Sequence, residues 1–141
     1  MTKEELKKQL HSCRYLKAEY EQISNELKKL EIFMESPRGA NMDGMPRGSG
    51  TSDPLLGVVS KHITLKERYQ NLLGELAAAQ TSIEDMIESL EPMERQLMRY
   101  RYLDGLTWEE VCVKIGYSWR QTHRTHSIIL GKLLADSEKM A

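Results

Sequence analysis

The chain has 141 residues, of which 40% are hydrophobic and 29% charged, and its formal net charge is −1. That length suits one compact domain, or a small domain joined to an extended helical part. Near-neutrality excludes a polycation that coats nucleic acid through a global field, so any DNA contact has to come from a local patch. No apolar run approaches a membrane span, and the charged N-terminus lacks the apolar stretch of a signal peptide, so a cytoplasmic protein with no membrane partner is expected. Leu, Glu, Lys, Met and Gln are common and Val is scarce, which favours helix over strand. The two cysteines, Cys13 and Cys112, lie far apart in unrelated contexts and are expected to be reduced.

In chain order, residues 2–35 read as one long helix. Thr2 and Glu5 form a capping-box pair at its start. Leu6, Cys13, Tyr20, Leu27 and Met34 recur every seven residues, and Leu16, Ile23 and Leu30 fall three after the corresponding positions. That is an a/d seam over four heptads, suited to a coiled-coil dimer or to half of an intramolecular helical hairpin.

Residues 36–56 interrupt the helix with Pro37, Gly39, Gly44, Pro46, Gly48, Gly50 and Pro54. The segment is either a turn between two helices or a loop whose Arg38 and Arg47 contact DNA backbone or a protein partner. Residues 57–90 return to helix, with Val59, Ile63, Tyr69, Leu72, Leu73, Leu76, Ile83, Met86, Ile87 and Leu90 as a broad apolar stripe. The simplest architecture is all-α. Residues 1–90 form a long, coiled-coil-like hairpin with the Gly/Pro loop at its tip, and residues 91–141 form a separate three-helix domain.

In that C-terminal third, Pro92 opens a helix whose Met93, Leu97 and Tyr100 share a face, and Asp104-Gly105 ends it. Thr107 and Glu110 form a second capping box, ahead of Trp108, Val111, Cys112 and Ile115 at helical spacing. Gly116 stops that short helix, and Ser118 with Gln121 opens the last one. A short helix, a tight turn at a glycine and a longer basic helix are the parts of a helix-turn-helix. No acid occurs between Glu110 and Asp136, while Lys114, Arg120, Arg124 and Lys132 are basic, as a polyanion-facing surface requires. On a helical wheel, Thr122, His126, Ile129, Leu130 and Leu133 cluster on one side. Arg120, Gln121, Arg124 and Ser127 fall on the other, and these are donor types that read base edges and phosphates in the major groove. Thr107 and Trp108 begin the bracing helix, whose N-terminus favours phosphate.

Leu90 to Leu134 resembles the C-terminal promoter-reading module of bacterial primary sigma factors. The likeness is carried by Glu94-Arg95, Arg99-Tyr100-Arg101-Tyr102, Asp104-Gly105-Leu106-Thr107, Glu109-Glu110-Val111 and Gly116-Tyr117-Ser118. With Gly44-Met45-Pro46-Arg47-Gly48 and Ser52-Asp53 added, the whole chain looks like a family of phage and prophage proteins of Gram-positive bacteria, grouped with sigma-like activators of late phage transcription. The resemblance implies a sigma region-4-like helix-turn-helix in a regulator that works in the host cytoplasm, binds double-stranded promoter DNA and contacts RNA polymerase. It also implies that Trp119, Arg120, His123 and Arg124 occupy DNA-reading positions. The wheel instead puts Trp119 near the core edge. No segment resembles the sigma regions that melt promoter DNA, so a complete sigma factor is not expected.

No catalytic constellation is apparent, so an enzyme is not expected. The Gly-rich segment lacks the preceding strand and the Lys-Ser/Thr ending of a phosphate-binding loop. His123 and His126 have no second Cys or carboxylate placed to complete a zinc site, and no cofactor is implied. His126 reads as a core-edge histidine and His123 as a phosphate donor. Two other functions fit the same pattern. A helical adapter that binds protein without reading DNA would tolerate loss of Arg120 and Arg124. A small terminase subunit, which recognises viral DNA for packaging, would form rings.

Overall fold

The computed structural model describes residues 1–35 and 54–139. Every regular element among them is helical, and no strand occurs among the described residues. The order is α1 (Lys3–Glu35), α2 (Pro54–Ile87), α3 (Pro92–Met98), a π-helical turn (Arg99–Leu103), α4 (Trp108–Ile115) and α5 (Trp119–Lys139). Arg38, Arg47 and the Met-Pro-Arg-Gly motif lie outside the described residues. Pro54, counted among the breakers, is instead the first residue of α2, where a fixed φ and a missing N–H cost nothing. No helix of the described residues is long and apolar enough to cross a membrane.

The chain divides into two compact units, Met1–Ala18 with Gly74–Ala141, and Glu19–Leu73. In the second unit Ile23 and Leu27 of α1 and Leu65 and Leu72 of α2 are buried. The rings of Tyr20 and Tyr69 stack at 5.0 Å, with their hydroxyl groups 2.7 Å apart. His62 Nε2 lies 3.3 Å from Glu31 Oε1. The sequence stripe misplaces some of this face: Ile63 is 53% and Leu73 45% exposed, while Leu65, outside the stripe, is buried. Leu65, Leu72, Leu76, Ile83, Ile87 and Leu90 follow steps of three, four or seven. Ile63 and Leu73 fall off that series and rotate out to solvent.

In the first unit, α1 starts with the expected capping box: the Glu5 N–H donates to Thr2 Oγ1 (3.2 Å) and the Thr2 N–H donates to Glu5 Oε2 (3.1 Å). Leu6, Leu10 and Cys13 are buried at i, i+4, i+7 spacing, so Leu10 belongs to the core although the heptad reading omits it. Gln9, a polar break in that seam, donates to Ser82 Oγ at 2.8 Å. Both cysteines are free thiols.

The face of α3 differs from expectation. Leu97 and Met98 are fully buried, with Glu94 nearly so, whereas Met93 is 37% exposed and Tyr100 half-buried. The cause is the π-helical turn, in which the Asp104 N–H donates to Arg99 O at 2.8 Å. A bond from i to i+5 adds one residue to the turn, so Tyr102, five after Leu97, reaches the core in place of Tyr100. Buried Glu94 accepts from the Glu91 N–H (3.2 Å) and takes both carboxylate oxygens to Lys132 Nζ (2.8 and 2.9 Å). Gly105, at φ 74°, then turns the chain toward α4.

Candidate nucleic-acid interface

Thr107 caps α4. Its Oγ1 accepts from the Glu110 N–H at 3.3 Å, and its hydroxyl donates to Glu110 Oε1 at 3.0 Å. The helix ends at Gly116, whose φ of 80° and ψ of 25° is the left-handed conformation that spares a glycine the Cβ clash. The Gly116 and Tyr117 N–H groups both donate to Cys112 O, at 2.8 and 3.2 Å. Two residues later α5 begins, capped by Ser118 Oγ accepting from the Gln121 N–H at 3.2 Å. The Thr122 hydroxyl, fully buried between the helices, donates to Ser118 O (2.8 Å) and accepts from Cys112 Sγ (3.3 Å). The Cys112–Thr122 bond joins α4 to α5, while Ser118 O accepts from both the hydroxyl and the N–H of Thr122, the latter at 2.9 Å.

The wheel's inner face is buried: Thr122, Ile129, Leu130 and Leu133 are 4% exposed or less. Arg120, Gln121, Arg124 and Ser127 are all exposed. Arg120 and Arg124 have no salt-bridge partner among the described residues, so their charge is available to a ligand. Lys132, counted with them in the sequence, is not: it neutralises Glu94. Lys114 is exposed on α4.

Trp108, His123 and Trp119 form a row of tilted rings, with interplanar angles of 48° and 49°. The His123 ring centroid lies 4.5 Å from Trp108 and 4.4 Å from Trp119. Its Nε2 is buried between the two indoles without a hydrogen-bond partner among the described residues. Trp119 lies at the edge of the core. One side packs on His123 and the residue stays 52% exposed, beside Arg120. Trp108, expected at the DNA backbone, is half-buried, with the Arg101 guanidinium stacked over its ring at 4.4 Å.

Beneath the row, His126 Nε2 and the Tyr102 hydroxyl share a 2.7 Å hydrogen bond. Burial, reinforced by the positive charge of His123, Arg101, Lys7 and His11, pushes the His126 imidazole down to about 4. Burial pushes the Tyr102 phenol up to about 12. At neutral pH the phenol and the ring are therefore both uncharged, and their hydrogen bond carries polar atoms through the core. Among the described residues no three His, Cys, Asp or Glu side chains gather as a metal ion requires. No protein-family model, curated protein or solved structure matches the chain.

Sequence reasoning missed the cations on α1. Lys17 Nζ donates to Leu103 O (2.9 Å), Arg14 Nη2 to Gly105 O (3.4 Å) and Arg101 Nη1 to Leu106 O (3.1 Å). Three positive side chains thus hold the turn that leads into α4. Nothing local to α1 signalled this, because Arg14 and Lys17 sit in a helix with equal numbers of acids and bases.

Proposed function

We propose that the protein is a sequence-specific DNA-binding regulator whose α4–Gly116–α5 segment is a helix-turn-helix of the sigma region-4 type, with α5 entering the major groove. The observation that carries this reading is the division of α5. Arg120, Gln121, Arg124 and Ser127 are exposed and free of acids over its first turns, while Thr122, Ile129 and Leu130 are buried behind them. Arg120 and Arg124 are the base readers, with Gln121 as a donor and acceptor for adenine and Ser127 at the phosphate edge. Trp119 offers an exposed ring face to a thymine methyl or a sugar. Thr107 holds the N-terminus of α4 beside the DNA backbone, where the helix dipole favours phosphate.

The resemblance to sigma-like phage proteins makes the regulator an activator of late phage genes that works with host RNA polymerase. Within Glu19–Leu73 the pairings Tyr20–Tyr69 and Glu31–His62 support an antiparallel hairpin of α1 with α2, because the partner number falls as the α1 number rises. That hairpin is the surface for RNA polymerase or for a second copy of the chain.

Selection of bound duplexes from a random pool at physiological salt tests the reading. A short enriched motif is expected, lost with Arg120→Ala plus Arg124→Ala. A pool that stays unenriched, or a motif indifferent to both arginines, sinks it.

A further inference from the structure

Arg14 and Arg101 donate to the nearby carbonyls of Gly105 and Leu106, and the charge of Arg14 adds to burial in pushing the Arg101 guanidinium down, as burial, Arg101, Arg14 and Lys7 push down the His11 imidazole. Arg14, Lys17 and Arg101 form no ion pair among the described residues. Their hydrogen bonds to the carbonyls of Leu103, Gly105 and Leu106 orient them without neutralising their charge. Buried Nε atoms of Arg14 and Arg101 find no acceptor. Glu109 is the carboxylate that offsets Arg101, with a weaker effect than Arg14, and Asp104 stands exposed on the turn. Clustered like charge of this kind costs stability unless an anion shares it.

The cluster also has a place relative to α5. Arg101 sits 4.4 Å over Trp108, Trp108 lies 4.5 Å from His123, and His123 lies 4.4 Å from Trp119, the neighbour of Arg120. A continuous row of rings therefore joins Arg101 to the first turn of α5 through Trp108, the first residue of α4.

We propose that Arg14 and Lys17 of α1, with Arg101 behind them, form a phosphate-binding site that holds the DNA backbone beside the groove occupied by α5. This rests on the DNA-binding reading above. It makes α1 part of the DNA interface, whereas the sequence confines DNA contact to α4, α5 and the Gly/Pro loop. The site carries charge without sequence information, so it adds affinity and leaves base preference untouched. Free phosphate is the other source of the same chemistry.

The test compares the parent protein, R14Q/K17Q, the charge-conserving R14K/K17R, and R120A/R124A. Each is titrated by fluorescence anisotropy onto the selected duplex and onto an unrelated duplex of equal length, over a range of salt. Circular dichroism checks the fold of each variant. In R14Q/K17Q the slope of log K against log salt is expected to fall by about 2, and affinity for both duplexes by about tenfold at physiological salt, with the ratio between them unchanged. R14K/K17R keeps the parent slope, and R120A/R124A loses the ratio. A folded R14Q/K17Q with the parent slope overturns the α1 site while the DNA-binding reading stands. In a second arm, inorganic phosphate is titrated while amide resonances of residues 103–108 are followed. If the parent ignores both duplexes but these resonances move, and do so only when Arg14 and Lys17 are present, the site takes free phosphate and the DNA-binding reading falls. Silence in both arms removes both.

Discussion

The two halves of α5 carry similar residue types and do opposite things. Over its first turns Arg120, Gln121 and Arg124 stand in solvent with no acid among the described residues to neutralise them. Further along, Lys132 reaches across to Glu94, and Ile129, Leu130 and Leu133 close the core. A basic residue counted in a sequence is therefore not yet a free charge. Whether it can meet DNA depends on what the neighbouring helices place beside it, and Glu94 lies 38 residues away from its partner.

The comparison breaks most severely at Leu130, which is 2% exposed. Leu130→Ala is expected to cost about 2–5 kcal/mol in chemical denaturation, because the cavity between α5 and its neighbours cannot collapse completely. Next come the two cations. Lys132→Ala leaves the buried Glu94 carboxylate without its counter-charge and is expected to cost about 1–3 kcal/mol of folding stability, with base preference intact. Arg124→Ala is expected to do the reverse, losing about 1–3 kcal/mol of binding to the selected site while the unfolding midpoint stays put. Equal effects of both substitutions on DNA selectivity would erase the distinction between the halves.

The core beneath the row of rings adds a pH dependence. The unfolded imidazole of His126 titrates near 6.5 and the folded one near 4, so between these values the unfolded chain binds the extra proton. Stability is therefore lost as pH falls through that window, by about 2 kcal/mol between pH 7 and pH 5. His11, also lowered chiefly by burial, acts in the same direction. Denaturation curves at the two pH values measure the loss, and His126→Gln should remove most of it. A parent protein equally stable at both values would show that His126 is not held neutral by the fold. The smallest effect is at Gly116, where an added Cβ meets no atom but φ is 80°. Gly116→Ala is expected to cost about 1 kcal/mol from backbone strain alone.

Local rules account for much of what was legible in advance. The capping pairs Thr2–Glu5 and Thr107–Glu110, the stop at Gly116 and the inward row Thr122, Ile129, Leu130 and Leu133 all stand as their spacing suggests. Each depends on residues within a turn or two of one another, where helical geometry leaves little choice. What was misread lies across helices. The π-helical turn exchanges Tyr102 for Tyr100, and no single-helix wheel contains the extra residue responsible. Nor does a wheel of α5 alone contain Trp108, whose ring the structure places 4.5 Å from His123.

By itself, then, the sequence determined that the described chain is helical, where the short helices near its C-terminus start and stop, and which face of α5 is apolar. Periodicity and capping are short-range and leave their mark on adjacent letters. Only the tertiary structure decided which cations remain free, which are neutralised, and that Arg14 and Lys17 gather with Arg101 around the turn before α4. Electrostatic environment is set by distance in space, and residues 86 and 91 positions apart become neighbours only once the helices have packed.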